Sequence, residues 1–311
     1  MTRDFIADSG FIGQKATRRL LNFYIERQND NGFIKPLFFA AERGAGKTKL
    51  ARITGDHLFG SDKKRKKFIE VNGSTIQKLD AFVDDIIIPH VNTGQCTLFI
   101  DEIHSVSRRV MDFLLSVLQL STTNQSRAFY DGIEYRFNFH DFSFISASTN
   151  PEKLPMPLKS RLKRVELEKY TTSELIQILK RHTPEIEYKE NVENDIISHS
   201  RGCPRVVAED IAKDIMQCGK KQITKSNWDK LKHVLGYKPF GLTTKEIQTL
   251  RFLRDCGNQS LTSLAAFLGL DPTTVRRDIE LYLLSNGLIK IMATRHLTQK
   301  GLECLNVIDE S

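Results

Sequence analysis

The chain of 311 residues has no apolar run long enough to cross a bilayer, so no membrane span is expected. Its opening, Met1 to Gly10, brings acids in early and has no apolar stretch of the kind a secretory leader needs. Cysteine is scarce. Cys96, Cys203, Cys218, Cys256 and Cys304 are an odd, widely spread set without a C-x-x-C pair. That argues against a disulfide frame or a zinc site and for reduced thiols in a cytoplasm. No internal repeat and no low-complexity tract is present. Acid does not dominate either: 46 Lys and Arg stand against 38 Asp and Glu, a net charge of +8. A basic balance suits a polyanion partner without proving one. What remains is a soluble globular composition with length enough for two or three cores.

Against that background one stretch carries chemistry. Leu37 to Leu50, LFFAAERGAGKTKL, is a short apolar run, a turn of small residues, and a Lys-Thr pair opening a helical pattern. This is the order of a phosphate-cradling loop between a buried strand and a helix. Backbone N–H groups around Gly44, Ala45 and Gly46 would wrap phosphates. Lys47 would reach the β and γ phosphates of ATP, and the Thr48 hydroxyl would hold Mg2+. One position departs from the pattern: Ala41 stands where the first glycine of G-x-x-x-x-G-K-[ST] belongs.

After a second strand at Phe68 to Val71, a third, Thr97 to Ile100, ends in Asp101-Glu102. In a parallel sheet that edge faces the phosphate loop. Asp101 is then placed for Mg2+, through water, and Glu102 for orienting the attacking water. Phe142 to Ala147 reads as another strand, ending in Ser148-Thr149-Asn150, small polar side chains at the same edge. Leu158 to Arg164 is strongly basic, either a solvated patch or the source of an arginine finger. Ser61 to Lys67, SDKKRKK, is a lysine-rich surface turn or a DNA contact. Between the strands lies RAFYDGIEYRFNF. Asp131-Gly132 is a two-residue hairpin turn, and Ile133, Tyr135, Phe137 and Phe139 alternate on one face. The hairpin either extends a sheet over the core or projects toward a partner.

Composition shifts at Tyr170 and again at Lys238-Pro239-Phe240-Gly241, giving domains 1–168, 169–238 and 239–311. Thr171 to Glu174 is a capping box opening a helix, and the pattern from there to Tyr237 is entirely helical. Arg205, in RGCPR, is structural or points at a phosphate. The last domain reads as three short helices (Thr244 to Arg254, Leu261 to Leu268, Asp271 to Ser285) and a small hairpin, which together make a winged helix. Arg276 and Arg277 lie on its recognition helix; Lys290, Arg295 and His296 lie on or near the wing. Such a module reads DNA or serves protein contacts.

Several separated motifs together resemble one family. FIGQ (Phe11 to Gln14), GAGKT (Gly44 to Thr48), LFIDEIH (Leu98 to His104), ISAST (Ile145 to Thr149), PLKSR (Pro157 to Arg161) and RGCPR (Arg201 to Arg205) follow the order and approximate spacing of RuvB. RuvB is the AAA+ motor of Holliday-junction branch migration. The resemblance spans nearly the whole chain. It implies an α/β fold: an AAA+ P-loop core with a parallel sheet, a helical lid and a C-terminal winged helix, assembled as a hexameric ring on duplex or branched DNA. It further implies that Gly44, Lys47, Thr48 and Lys49 touch nucleotide and that Tyr170 flanks the adenine. Thr149, or Asn150 by the more general AAA+ pattern, would be sensor 1. Arg205 would be sensor 2 in cis, and Arg161 the finger supplied to a neighbouring subunit. The Asp131-Gly132 hairpin, within 127–139, would engage a RuvA-like junction-binding protein. Ala41 and a wing poorer in arginine mark the chain as divergent, chromosomal or phage-encoded, and acting in the cytoplasm. A loader or initiator ATPase assembling a replication machine on DNA would share the same ATP site.

Overall fold

The structure is a computed structural model that describes residues 3–91 and 94–310. The chain divides into two compact units. One comprises Met1–His182 with Gly202–Lys213, the other Thr183–Arg201 with Asp214–Ser311.

The first unit is built on a five-stranded parallel sheet. Its strands are β1 (Leu37–Ala40), β2 (Lys67–Asn72), β3 (Cys96–Asp101), β6 (Phe142–Ser148) and β7 (Lys163–Glu166), in the order β2-β3-β6-β1-β7. Between β3 and β6 run β4 (Gln125–Tyr130) and β5 (Ile133–Asn138), which form a separate antiparallel pair. The central strands read as continuous apolar runs because helices cover both faces. Phe38, Leu98, Ile100 and Phe144 point into one core; Leu37, Phe39, Phe99 and Ile145 point into the other. Register then decides where the chemistry sits. Ala40 pairs with Ser148, and Ile100 with Ser146, so the carboxyl ends of β1, β3 and β6 finish side by side. The loop after β1, the acids ending β3 and the polar residues ending β6 therefore meet at one edge.

At the β4–β5 turn Asp131 (φ 48°) and Gly132 (φ 73°) both take positive φ, the twist that a tight two-residue turn needs. The hairpin does not extend the central sheet, but one of its faces packs on the core. Ala128, Tyr135 and Phe137 are buried, whereas Phe129 and Ile133 next to the turn are 70% and 56% exposed.

In the second unit, Trp228 on helix Lys225–Leu235 is fully buried beside His199 and Tyr237. The entirely helical pattern expected up to Tyr237 is interrupted. Glu187–Tyr188 and Gln222–Ile223 pair as two short parallel strands, β8 and β9, too brief for periodicity to register. Helices Thr244–Cys256 and Leu261–Leu268 follow. A helical run from Pro272 to Ser285 and the hairpin of β10 (Ile289–Ile291) and β11 (Arg295–Leu297) complete a winged helix. A further helix, Gln299–Asp309, closes its core with Cys304 and Leu305. The sequence reading of three helices and a hairpin did not include that helix, which carries Gly301 in its first turn. A Cβ there would lie 2.2 Å from the Leu288 carbonyl oxygen, so close packing requires glycine.

The winged helix also changes one expected DNA contact. Arg295 is buried, with Nε 2.6 Å and Nη2 3.2 Å from the two oxygens of Glu280, itself only 2% exposed. Its guanidinium is committed to the domain interior and is not available to a phosphate. Alternation along β11 explains this, since its neighbour His296 takes the outer face.

Candidate ATP site and nucleic-acid surface

The loop 41–46 bends through Gly44 (φ 78°) and Gly46 (φ 97°), both left-handed. Ala41 is not among the residues with positive φ, so its methyl stands where a glycine is not required. Gly44 is required for contact as well. A Cβ on Gly44 would come 2.5 Å from Cys203 Sγ and 3.1 Å from Arg205 Cβ. One on Gly46 would come 3.3 Å from the Phe11 ring and 3.5 Å from the Tyr170 hydroxyl. The RGCPR turn thus packs on one side of the loop, and Phe11 with Tyr170 on the other. Tyr170 donates to the Ala45 carbonyl at 3.3 Å.

Lys47 opens helix Lys47–Asp56 and is 6% exposed. Its ammonium donates to the loop's own carbonyls, Ala41 at 2.9 Å and Glu42 at 3.0 Å. Burial pulls its pKa down, and Arg205 adds to that, while Glu102 and Asp101 push it back up. A lysine with its solvation removed and only carbonyl partners is well placed for an anion. Thr48 Oγ1 donates to Asp101 Oδ2 at 2.8 Å. Two hard oxygens at this spacing fit Mg2+, which takes few protein ligands and completes its shell with water and phosphate. Among the described residues no three His, Cys, Asp or Glu side chains cluster as a metal cage.

Glu102 follows in a left-handed backbone conformation (φ 49°, ψ 47°), uncommon for a side-chain-bearing residue and typical of functional turns. Its Oε2 accepts from the Thr149 N–H at 3.0 Å and the Thr149 hydroxyl at 2.9 Å, and lies 3.1 Å from His104 Nδ1. The sequence left Thr149 and Asn150 as alternatives. The structure puts Thr149 on Glu102, and Asn150 against His104 Nε2 at 3.3 Å.

Lys49 lies on the outer side of the loop, its ammonium 6.0 Å over the Phe11 ring. Burial lowers its pKa, aided by Arg181. Arg205 extends from the RGCPR turn and pairs loosely with Glu209 at 3.7 Å. Arg161 bonds elsewhere. Its Nη1 donates to the Pro157 carbonyl at 2.6 Å, and no hydrogen bond or ion pair among the described residues joins it to Lys47, Thr48, Asp101 or Glu102.

Two residues of the site were missing from the sequence reading. Phe11 lies in the FIGQ motif, whose Gln14 is 2% exposed and bonds both backbone groups of Glu168, at 2.6 and 2.8 Å. That pair fixes the segment leading to Tyr170. His104 lies in LFIDEIH and its role required the fold to see.

On the winged helix, Arg276 and Arg277 are exposed, Arg277 forming a bidentate pair with the adjacent Asp278. Lys290 and His296 are direct cross-strand partners on the wing. The apolar Met292 at its tip is 68% exposed.

Two family models match the chain: AAA, the ATPase family associated with various cellular activities, over residues 37–170, and the RuvB C-terminal winged helix domain over residues 239–306. Among curated relatives, the Holliday junction branch migration complex subunit RuvB of Mycoplasmopsis pulmonis is 28% identical over 96% of each chain. That of Kosmotoga olearia is 27% identical over 96% of this chain and 88% of its own. Among solved structures, the Thermotoga maritima RuvB Holliday junction branch migration motor matches with a TM-score of 0.75 at 24% identity, over 96% of both chains.

Proposed function

From the premise that this chain belongs to the RuvB family of AAA ATPases, we propose that it is an ATP-driven DNA motor that moves the branch point of four-way (Holliday) junctions. The observation that carries this reading is the union, in one chain aligned almost end to end with RuvB, of a P-loop site and a RuvB-type winged helix. On this reading residues 1–168 are the ATPase domain, 169–238 the lid and 239–311 the DNA-binding module.

ATP hydrolysis joins water oxygen to the γ-phosphorus and breaks the bond to ADP. Gly44, Ala45 and Gly46 present backbone N–H groups to the phosphates. Lys47 exchanges its carbonyl partners for phosphate oxygens. Tyr170 and Lys49, with Phe11, bound the nucleoside side. Thr48 and Asp101 would hold Mg2+, which would supply charge neutralisation to the phosphates. Glu102 orients the attacking water, Thr149 senses the γ-phosphate, and Arg205 approaches it in cis. Arg161, which bonds the Pro157 carbonyl and none of the loop's side chains among the described residues, completes the site of the next subunit in a ring. Such a finger contributes about 10^3 to 10^5 in rate. Arg276, Arg277, Lys290 and His296 contact duplex phosphates or base edges, and the exposed end of hairpin 127–139 docks a RuvA-type protein. The protein acts in the cytoplasm.

Steady-state ATP turnover with and without duplex DNA tests this. DNA stimulates the wild type, and Lys47→Ala, Glu102→Gln and Arg161→Ala each abolish turnover. Mixing Glu102→Gln with Arg161→Ala restores part of it, because mixed interfaces pair an intact Glu102 with an intact finger. Full activity of Arg161→Ala alone, or no recovery on mixing, overturns the finger in trans.

A further inference from the structure

The basic run Ser61 to Lys67 has no role in the scheme above. It lies between helix Lys47–Asp56 and β2 and is anchored on three other segments. The Gln28 side chain bonds both backbone groups of Phe59, accepting from its N–H at 3.1 Å. Asp141 accepts from the Ser61 N–H at 2.9 Å, and Gln95 donates to the Ser61 hydroxyl at 3.3 Å. A Cβ on Gly60 would lie 1.9 Å from Gln95 Oε1, so the loop backbone rests against that side chain. Within the loop the Gly60 N–H donates to the Lys64 carbonyl at 2.9 Å, and the Lys63 N–H to the Gly60 carbonyl at 3.0 Å. The backbone is thus a fixed turn. Lys66 points inward: it is 3% exposed, and its ammonium donates to Ser143 Oγ at 2.9 Å. Alternation along the extended chain then sends Arg65 and Lys67 outward, about 7 Å apart, and both are exposed. Lys63, at the turn itself, is exposed with φ 62°, a conformation that glycine or asparagine takes at lower cost.

We propose that this turn is a second duplex-DNA contact, carried by the ATPase domain, in which Lys63, Arg65 and Lys67 bind backbone phosphates. The inference rests on the reading of the chain as a DNA motor. The acids nearby are already engaged. Asp62 accepts from the Lys64 backbone N–H at 2.8 Å and lies 3.5 Å from the Lys64 ammonium. Asp141 is held by Ser61 and by the Asn138 amide at 3.3 Å, and Glu70 pairs with Arg52. Among the described residues, Lys63, Arg65 and Lys67 make no ion pair. Cations fixed side by side without counter-charge repel one another, and a row of phosphates relieves that while releasing its own counterions. The surface suits nucleic acid better than protein. Residues 60–67 contain no apolar side chain. Protein interfaces have apolar centres depleted of lysine, whereas DNA interfaces are polar and strongly positive. The turn stands at the amino ends of β2, β3 and β6, since Lys67 pairs with Cys96 and Cys96 with Phe142. Asp101 lies at the carboxyl end, the six residues of β2 or about 20 Å away. A duplex on the turn therefore leaves the nucleotide site open.

The test is a salt titration of the affinity of the full chain for a fluorescein-labelled duplex of arbitrary sequence. Lys63→Gln, Arg65→Gln and Lys67→Gln combined leave the melting midpoint unchanged, because the three side chains are exposed and the anchors Gln28, Gln95 and Asp141 remain. The variant binds more weakly at low salt. Its slope of log affinity against log salt falls by about 2.7, three phosphate contacts at about 0.9 each. The gap to wild type accordingly narrows about fortyfold between about 50 and 200 mM salt. The same fall in slope appears on top of Arg276→Ala with Arg277→Ala, because the turn holds phosphates of its own. Lys63→Arg with Lys67→Arg, which keeps the charge, keeps wild-type affinity and slope. An unchanged slope in the glutamine variant overturns the proposal, as does lost binding in the charge-keeping one. If the glutamine variant binds duplex normally but no longer captures a RuvA-type protein, the turn is a protein contact and the proposal fails. Failure of the motor reading looks different: the wild type would bind duplex through this turn and never turn over ATP.

Discussion

The buried Arg295–Glu280 pair gives the sharpest forecast for the winged helix. Arg295→Ala removes a bidentate partner at 2.6 and 3.2 Å and leaves a carboxylate that is 2% exposed with no counter-charge. Breaking such a pair costs about 3–5 kcal/mol. In a small domain each kcal/mol moves the midpoint by about 4 °C or more, so the transition should fall by roughly 12 °C at least. Trp228 is the single tryptophan of the chain and lies in the same unit, so its fluorescence during heating reads that unit directly. Restoring apolar contact in place of charge should recover most of the loss. The double variant Glu280→Leu with Arg295→Met is expected within about 1.5 kcal/mol of wild type, since apolar replacement of both members of a buried pair is often neutral. An unchanged midpoint in Arg295→Ala, combined with weaker DNA binding and a shallower salt dependence, would refute the burial argument and return Arg295 to the DNA surface.

Other outcomes follow from the same geometry. Arg276→Ala and Arg277→Ala should leave unfolding unchanged and weaken duplex binding, each lowering the slope of log affinity against log salt by about one, which a salt titration measures. Phe129→Ser with Ile133→Ser at the hairpin turn should alter stability by no more than about 0.5 kcal/mol and abolish capture by a RuvA-type protein in a pull-down. Burial depresses the His199 pKa below 6.5, its ordinary value. The folded ring therefore binds its proton only after the unfolded one has done so. The contribution of His199 to the stability of the second unit is fully present above about pH 6.5 and is lost as pH falls through the depressed value. Urea midpoints by Trp228 fluorescence should show that slope, and His199→Gln should flatten it.

The sequence made the ATP site legible because each of its parts is local. GAGKT, the acids after TLFI and the STN run each announce themselves within a few residues. Parallel register alone brings them together, through Ala40 opposite Ser148 and Ile100 opposite Ser146. What stayed hidden depends on long-range packing. Arg295 and His296 are neighbours on the wing and both read as candidate DNA contacts, yet strand alternation sends one to Glu280 and the other outward. Helix Gln299–Asp309 closes the winged-helix core through Gly301 packed against the Leu288 carbonyl, a contact between segments that no local pattern announces. His104 sits two residues past Glu102, and only the approach of β6 gives its ring partners on both edges. Phe11 is separated from Gly46 by helix Lys15–Asn31, strand β1 and the loop itself. Gln14 docking on Glu168 is what brings the FIGQ segment beside Tyr170.

The central claim, that ATP turnover at this site moves a DNA branch point, is tested most directly on a synthetic four-way junction with one heterologous boundary, assembled with a RuvA-type partner. The account predicts that wild-type protein with ATP and Mg2+ resolves the junction into its two duplex products, that EDTA stops the reaction, and that Lys47→Ala and Glu102→Gln protein does not start it. A wild-type protein that hydrolyses ATP on DNA but never moves the junction with its partner present would contradict it, and would point to a loader.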